Sequence, residues 1–216
     1  MSQDHQIQEA VLAEFLWEPS ITAAHIGVTV HKGVVTLSGH VPTFLEKHAA
    51  EHAAARVKGV KAVAQDLEVR LADPFRHGDE DIARAAVDRL TWDVSVPRDA
   101  IKVEVEKGRV TLTGEVEWYY QKDAAEQAIR SLQGVIAVSN LTVIKSRVNT
   151  STIGDDIGVA LHRSWFDPRT ISVSAEGGRI KLTGTVHTVA DRLAAGTTAW
   201  AAPGATDVEN DLLVVG

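Results

Sequence analysis

Apolar side chains recur every four residues near the start of the chain, at Ile7, Val11 and Phe15. This spacing places them on one face of a helix and predicts an amphipathic α-helix. Asp4 precedes this run and Asp79 precedes a second one, so we expect both aspartates to be N-caps. The second run consists of Ile82, Ala86 and Leu90.

Strict alternation of apolar and polar residues follows each of these helices. Ile26, Val28 and Val30 alternate with small or polar neighbours, and this period of two predicts a half-buried strand. A glycine and a second alternating segment come next, so the two segments form a β-hairpin. The same alternation is found at Ile101, Val103 and Val105, and at Ile171, Val173 and Ala175.

One glycine-bounded hairpin sequence occurs three times, at residues 32–39, 107–114 and 177–184. The closing glycines of successive copies are 75 and 70 residues apart. Self-similarity at such a period indicates repeated structural units, and we predict three small domains in tandem. The predicted domains are residues 1–73, 77–147 and 150–216.

The second half of each copy predicts a helix and a third strand. The helix carries an alanine doublet, small enough to lie close on a sheet, and a glycine follows in the position of a C-terminal cap. Each unit is then an αββαβ domain of the α+β class, with a three-stranded mixed sheet and two helices packed on one face. The doublets are Ala49-Ala50, Ala124-Ala125 and Ala194-Ala195, and the glycines are Gly59, Gly134 and Gly204.

The glycine that closes each hairpin, at position 39, 114 or 184, has the parity of the buried residues of its strand. The core therefore lacks a side chain at this point. A β-bulge or the close approach of a helix accounts for the gap.

The third copy differs from the others in its first half. Trp165 lies 19 residues before Gly184, whereas Trp17 and Trp92 each lie 22 residues before the corresponding glycine. We therefore expect its first loop to be about three residues shorter, by the same repeat alignment.

Composition and charge narrow the function. The chain has 216 residues, no cysteine and a formal net charge of −7. No disulfide or thiolate chemistry is available to it. Residues 1–74, 75–149 and 150–216 carry −3, −1 and −3, so we expect no nucleic-acid partner.

The sequence has no apolar run of about 18 residues, so we expect no transmembrane segment. Its first ten residues have neither the basic start nor the apolar run of a secretory signal. We expect a cytoplasmic protein, or a periplasmic one if the sequence is a piece of a longer chain.

The repeated unit resembles the BON domain. The resemblance rests on the Gly-x-Val-x-Leu-x-Gly-x-Val hairpin, the alanine-rich helix and a Gly-Val-x-x-Val-x-Asn strand, and it covers nearly the whole chain. The second copy shows the strand best, with Gly134, Val138 and Asn140, whereas the first copy has Gln65 in place of the asparagine. Three copies in tandem resemble the osmotically inducible, OsmY-like family.

The resemblance implies a largely bacterial, non-catalytic protein linked to osmotic or envelope stress, with no cofactor. Two functions stay open: peripheral binding to phospholipid, and protein interaction or self-association without lipid binding. The sequence has no nucleophile elbow, P-loop or dinucleotide fingerprint that would indicate an enzyme.

His48 and His52 lie one helical turn apart, with Glu46 and Glu51 nearby, and imidazoles at this spacing can bind zinc. Neither glutamate occupies its position in the His-Glu-x-x-His motif, and the other copies have no equivalent. We therefore expect a solvated helix face and no metal.

Three adjacent aromatic residues, Trp118, Tyr119 and Tyr120, begin the second helix of the middle copy, with Lys122 and Arg130 further along. They cannot all point inward, and amphipathic rings beside a cation suit a membrane interface. We expect these five residues to bind lipid or a partner. Packing between domains is the alternative.

Three further residues indicate a contact between domains or within an oligomer. Trp200 lies in a segment, residues 194–202, that has no charge. The last strand of the middle copy is apolar on both faces, with Leu141 and Val143 on one of them. A strand buried on both faces needs a second covering layer.

Overall fold

A computed structural model describes residues 2–72, 77–145, 153–163 and 170–215. Three αββαβ repeats follow one another along these residues, which confirms the predicted α+β class and tandem architecture. The predicted shorter loop at Trp165 lies outside the described residues.

Six helices and ten strands make up the described chain. The first repeat contains α1 (Gln3–Trp17), a 3₁₀ turn (Ala23–His25), β1 (Ile26–His31), β2 (Val34–Val41), α2 (Phe44–Arg56) and β3 (Ala62–Val69). The second contains α3 (Asp79–Trp92), β4 (Ile101–Glu106), β5 (Arg109–Val116), α4 (Tyr119–Arg130), β6 (Ala137–Asn140) and β7 (Val143–Ile144). The third contains α5 (Ile153–Arg163), β8 (Ile171–Glu176), β9 (Arg179–Val186), α6 (Val189–Trp200) and β10 (Asp207–Val214).

The chain divides into two compact units. One consists of Met1–Pro74, Thr185–Leu193 and Leu213–Gly216, and the other of Phe75–Gly184 and Ala194–Leu212.

Each sheet is mixed, as predicted, with the second hairpin strand in the centre. β1 pairs antiparallel with β2, and β3 pairs parallel with β2. In the second repeat β4 is antiparallel and β6 and β7 are parallel to β5, and the third sheet has the order β10-β9-β8. The predicted stripe Ile7, Val11 and Phe15 is buried, as is the second alanine of each doublet.

The hairpin turns have two residues each, and both residues take positive φ. Lys107 and Gly108 have φ of 50° and 75°, the combination that a type I′ turn requires. The carboxylate of Asp79 accepts hydrogen bonds from the backbone N–H groups of Lys107 at 2.7 Å and Gly108 at 2.8 Å. Asp4 holds the first hairpin in the same way.

The prediction that Asp4 and Asp79 are N-caps is therefore wrong. The N-cap residues are Ser2 and Gly78, and each aspartate lies inside the first turn of its helix. From that position the carboxylate reaches the hairpin turn instead of the N–H groups of its own helix. This contact ties the start of each helix to the strands that it covers.

Two expectations about glycines also need correction. Gly59 and Gly134 lie beyond the C-cap residues Val57 and Ser131, in the turn before the third strand, and are not themselves caps. The glycines that close the hairpins make room for a backbone carbonyl and not for a helix: a Cβ on Gly114 would lie 2.0 Å from the carbonyl oxygen of Ala100.

The last strand of the second repeat is interrupted. It forms β6 and β7, with residues 141 and 142 between them. Leu141 is 63% and Val143 53% exposed, so the described chain does not itself cover this face, and its burial in an oligomer stays a prediction.

Candidate functional site

The predicted aromatic site lies at the start of α4, whose N-cap is Trp118. The side-chain oxygen of Gln121 accepts hydrogen bonds from the backbone N–H groups of Glu117 and Trp118, at 3.0 and 3.1 Å. This contact fixes the direction in which the chain enters the helix. Trp118 and Tyr119 are half-buried, and Tyr120 is 57% exposed. Of the three rings, Tyr120 is therefore the one presented to solvent.

Tyr119 instead stacks on Trp200, the last residue of α6. The ring centroids are 4.8 Å apart and the planes are 17° from parallel. Both residues lie in the second compact unit. Burial raises the pKa of the Tyr119 phenol, and the carboxylates of Asp123 and Glu126 raise it further. The structure thus brings together one residue of the predicted lipid site and one of the predicted contact residues.

The two predicted cations make contacts inside the chain. The ammonium of Lys122 donates a hydrogen bond to the carbonyl oxygen of Thr142 at 2.7 Å. The guanidinium of Arg130 contacts Glu126 at 2.6 Å, and its side chain is only 16% exposed. Both cations are therefore already engaged within the chain.

A polar network holds this face of α4 to β6. The side-chain amide of Asn140 donates to the carbonyl oxygen of Lys122 at 2.8 Å and to the carboxylate of Glu126 at 3.3 Å. Glu126 therefore links Arg130 to Asn140. These contacts assign Lys122, Glu126 and Arg130 a part in holding the domain together.

Thr142 is the buried residue at the interruption between β6 and β7. It is 2% exposed, and within the described chain its hydroxyl has no hydrogen-bond partner. On either side, Leu141 and Val143 face outward. Leu141, in the interruption, and Val143, the first residue of β7, therefore form a small exposed apolar pair.

Among the tryptophans that the structure describes, the two at the ends of α1 and α3 are the most exposed. Trp17 is 86% and Trp92 85% exposed, each at the last position of the first helix of its repeat. The helical spacing in the sequence predicts that these two tryptophans are exposed. Each tryptophan follows the last buried residue, Phe15 or Leu90, by two positions, which is about 200° around a helix.

Each of these tryptophans has an exposed aliphatic neighbour. Leu16 is 82% exposed beside Trp17, and Val94 is fully exposed beside Trp92. We call the first pair the Trp17 tip and the second the Trp92 tip. The Trp92 tip borders an open groove of about 600 Å³. Its other lining residues are Arg89, Asp93 and Ser95 together with Ala124, Gln127 and Ala128 of α4.

The histidine pair considered as a metal site lies on α2. The rings of His48 and His52 are 5.1 Å apart between centroids and tilted by 31°. Across the described ranges of the chain, histidines and carboxylates form no cluster of three or more that could hold a metal ion.

The BON domain model matches residues 3–70, 78–146 and 149–216. The chain belongs to the BON domain family. It is also 33% identical over 141 residues to the osmotically inducible protein Y of Escherichia coli (strain K12). The aligned region covers 63% of this chain and 70% of that protein.

Two solved structures of CdsD, a structural protein of the type III secretion system of Chlamydia trachomatis, were also matched. The C-terminal domain is 18% identical, with full coverage of both chains and a TM-score of 0.28. The second structure is 18% identical, covers 97% of this chain and 92% of that chain, and has a TM-score of 0.27.

Comparison of the three BON domains separates shared from individual features. Lys47 donates to a strand carbonyl in the first domain as Lys122 does in the second, so this contact belongs to the repeated fold. In contrast, the position of Leu141 is occupied by Asp66 and Asp211 in the other two domains. No described helix of this BON chain combines the length and the apolar composition needed to cross a bilayer.

Proposed function

We propose that this chain is a non-catalytic, stress-related BON protein that binds phospholipid bilayers peripherally. The stress-related part draws on the likeness to an osmotically inducible protein. The binding part depends on one observation: Trp17 and Trp92 are 86% and 85% exposed at equivalent positions of two BON domains. The predicted cytoplasmic location stays a prediction.

Indole is the side chain best suited to the boundary between headgroups and acyl chains, because it has an apolar body and one N–H donor. Full burial of one indole, about 200 Å² at about 25 cal/mol per Å², would contribute about 5 kcal/mol. An interfacial position buries only part of that area. Each tip therefore supports weak, reversible binding.

The size of the tips favours a bilayer over a protein as the bound surface. A stable protein interface buries about 800 Å² on each partner, with a polar rim around an apolar centre. Each tip offers one indole and one aliphatic side chain, on the order of a few hundred Å². A bilayer interface needs no shape complementarity, so an area of this size is sufficient.

The predicted site at the start of α4 fits this function less well. Tyr119 stacks on Trp200, and Lys122 and Arg130 are hydrogen-bonded within the chain. Tyr120 is the one exposed ring of that set. It therefore provides a matched control, since it is an exposed aromatic residue outside the tips.

The test is co-sedimentation of the full chain with vesicles of phosphatidylcholine, alone and mixed with phosphatidylglycerol, comparing native protein, Trp17→Ala/Trp92→Ala and Tyr120→Ala. We expect the native protein and Tyr120→Ala to sediment with the vesicles and the double variant to stay in the supernatant. Native tryptophan fluorescence should shift to the blue on vesicle addition, and this shift should be lost in the double variant. Circular dichroism melts establish that all three proteins are folded.

Two results would contradict the proposal. If the native protein stays in the supernatant with every vesicle composition, it does not bind phospholipid. If Tyr120→Ala abolishes sedimentation and the double tryptophan variant does not, the lipid site lies at the start of α4 and not at the tips.

Self-association through the second BON domain is a second candidate, favoured by the exposed apolar pair Leu141 and Val143 at the break between β6 and β7. Light scattering over a range of protein concentrations tests it. Leu141→Asp is the informative variant, because Asp66 and Asp211 show that the fold accepts aspartate at this position. A native protein that is monomeric at all concentrations would exclude this function.

A further inference from the structure

The charges around the tips indicate which kind of bilayer they recognise. Glu14 and Glu18 lie on either side of Trp17, and both contact the single guanidinium of Arg56, at 2.7 and 3.6 Å. The last turn of α1 contains no basic residue. Hydrogen bonds from the hydroxyl and then the backbone N–H of Ser20 lower the pKa of Glu18, so this carboxylate stays ionised. The Trp17 tip therefore has one cation against two anions.

The Trp92 tip has no excess of positive charge either. The charged residues within seven positions of Trp92 in the sequence are three carboxylates and two guanidiniums. They are Asp88, Arg89, Asp93, Arg98 and Asp99. Asp93 accepts a hydrogen bond from the backbone N–H of Ser95 at 2.9 Å, which fixes one anion next to the exposed indole.

The charge of the tips predicts whether anionic headgroups strengthen binding. Each basic residue engaged at an anionic surface raises partitioning about fivefold. Neither tip has a net cation to contribute, and the chain as a whole carries −7. Anionic headgroups thus add nothing to the contribution of the indoles.

We propose that the tips bind net-neutral phospholipid bilayers by inserting indole and aliphatic side chains, and that anionic lipid is not required. This inference rests on the proposed phospholipid binding. It predicts that partitioning depends on Trp17 and Trp92 and is insensitive to salt, since salt screens charge and leaves apolar burial in place.

The experiment measures partition coefficients of the full chain on two vesicle types, each at low and at high salt. One type is phosphatidylcholine alone, and the other is phosphatidylcholine mixed with phosphatidylglycerol. We expect the four values for the native protein to agree within about twofold. A rise of about fivefold or more on the anionic vesicles at low salt would overturn the inference. Absence of binding to both vesicle types would instead contradict the proposed function itself.

A charge reversal shows that the assay can detect electrostatic binding. Asp88 lies one helical turn before Trp92. Asp88→Lys should therefore raise the partition coefficient on anionic vesicles about fivefold at low salt, and high salt should remove this increase. Glu80→Lys is the matched control, because it reverses a charge on the same helix about 18 Å from Trp92 along the axis. If both reversals gain equally, or neither gains, Trp92 is not the membrane contact and the inference fails.

Discussion

The phenol ring of Tyr119 stacks on the indole of Trp200 at a centroid distance of 4.8 Å. Tyr119 begins α4 in the second BON domain, and Trp200 ends α6 in the third. The two rings face each other within one compact unit. Tyr119, the central residue of the predicted lipid site, is therefore covered on one face by Trp200. Its neighbour Tyr120 is left exposed.

The stacked pair should be energetically coupled. In a double-mutant cycle of Tyr119→Ala and Trp200→Ala, we expect a coupling of about 0.5–1.5 kcal/mol in the free energy of unfolding, as for other aromatic pairs. Urea denaturation followed by circular dichroism measures it. Tyr120→Ala serves as the control and should change stability by no more than about 0.5 kcal/mol, because its ring is exposed. Additive effects of the two substitutions would contradict the contact.

Gly114 should not tolerate a side chain. Its φ is 139°, and a Cβ would lie 2.0 Å from the carbonyl oxygen of Ala100. We expect Gly114→Ala to lower the free energy of unfolding by about 3 kcal/mol or more, measured in urea. Gly158→Ala is the contrast. Gly158 lies in the middle of α5 and its Cβ would meet open space, so we expect the free energy of unfolding to rise by up to about 1 kcal/mol. Equal effects of the two substitutions would show that crowding at Gly114 is not the cause.

Thr142 carries a hydroxyl that costs stability. Its side chain is buried at a position where the other BON domains have buried leucines, Leu67 and Leu212. Since the hydroxyl has no partner in the described chain, Thr142→Val should raise the free energy of unfolding by about 1 kcal/mol. The same change at exposed Thr113 should be close to neutral. Destabilisation by Thr142→Val would reveal a hydrogen bond that the hydroxyl makes in solution.

Asp4 should make stability depend on pH in the acid range. The backbone N–H groups of Lys32 and then Gly33 lower the pKa of its carboxyl. The stabilisation is therefore fully present above the unfolded-state pKa of about 4 and is lost as the pH falls through the lower folded value. We expect Asp4→Asn to lower the melting temperature at neutral pH and to make it less sensitive to acid. Asp66→Asn, at an exposed position, should leave the acid response unchanged.

Much of the fold could be predicted because its signals are local. Two positive-φ residues in each hairpin turn, such as Lys107 and Gly108, close strands whose alternation already reveals their buried face. The N-cap prediction for Asp4 and Asp79 is wrong because it also uses only neighbouring residues. A carboxylate at a helix start has two possible sets of N–H donors, and the nearer hairpin turn is not visible in the local sequence.

Less of the candidate site could be predicted. The sequence identified an aromatic cluster at Trp118–Tyr120 but not which ring would be covered, since Trp200 lies far away in the chain. In contrast, the exposure of Trp17 and Trp92 follows from helical spacing alone. These two residues could have been found from the sequence by asking which large apolar side chains lie off the buried stripe.

The sequence by itself determined the number of domains, the αββαβ order and the parity of each strand, because these follow from periodicity and from turns of two residues. Only the tertiary structure decided which polar and aromatic groups are available. Lys122, Arg130 and Tyr119 are each committed to a partner at least four residues away, and Thr142 is buried without one in the described chain. Such pairings depend on how helices and strands pack, and that packing is a property of the whole fold.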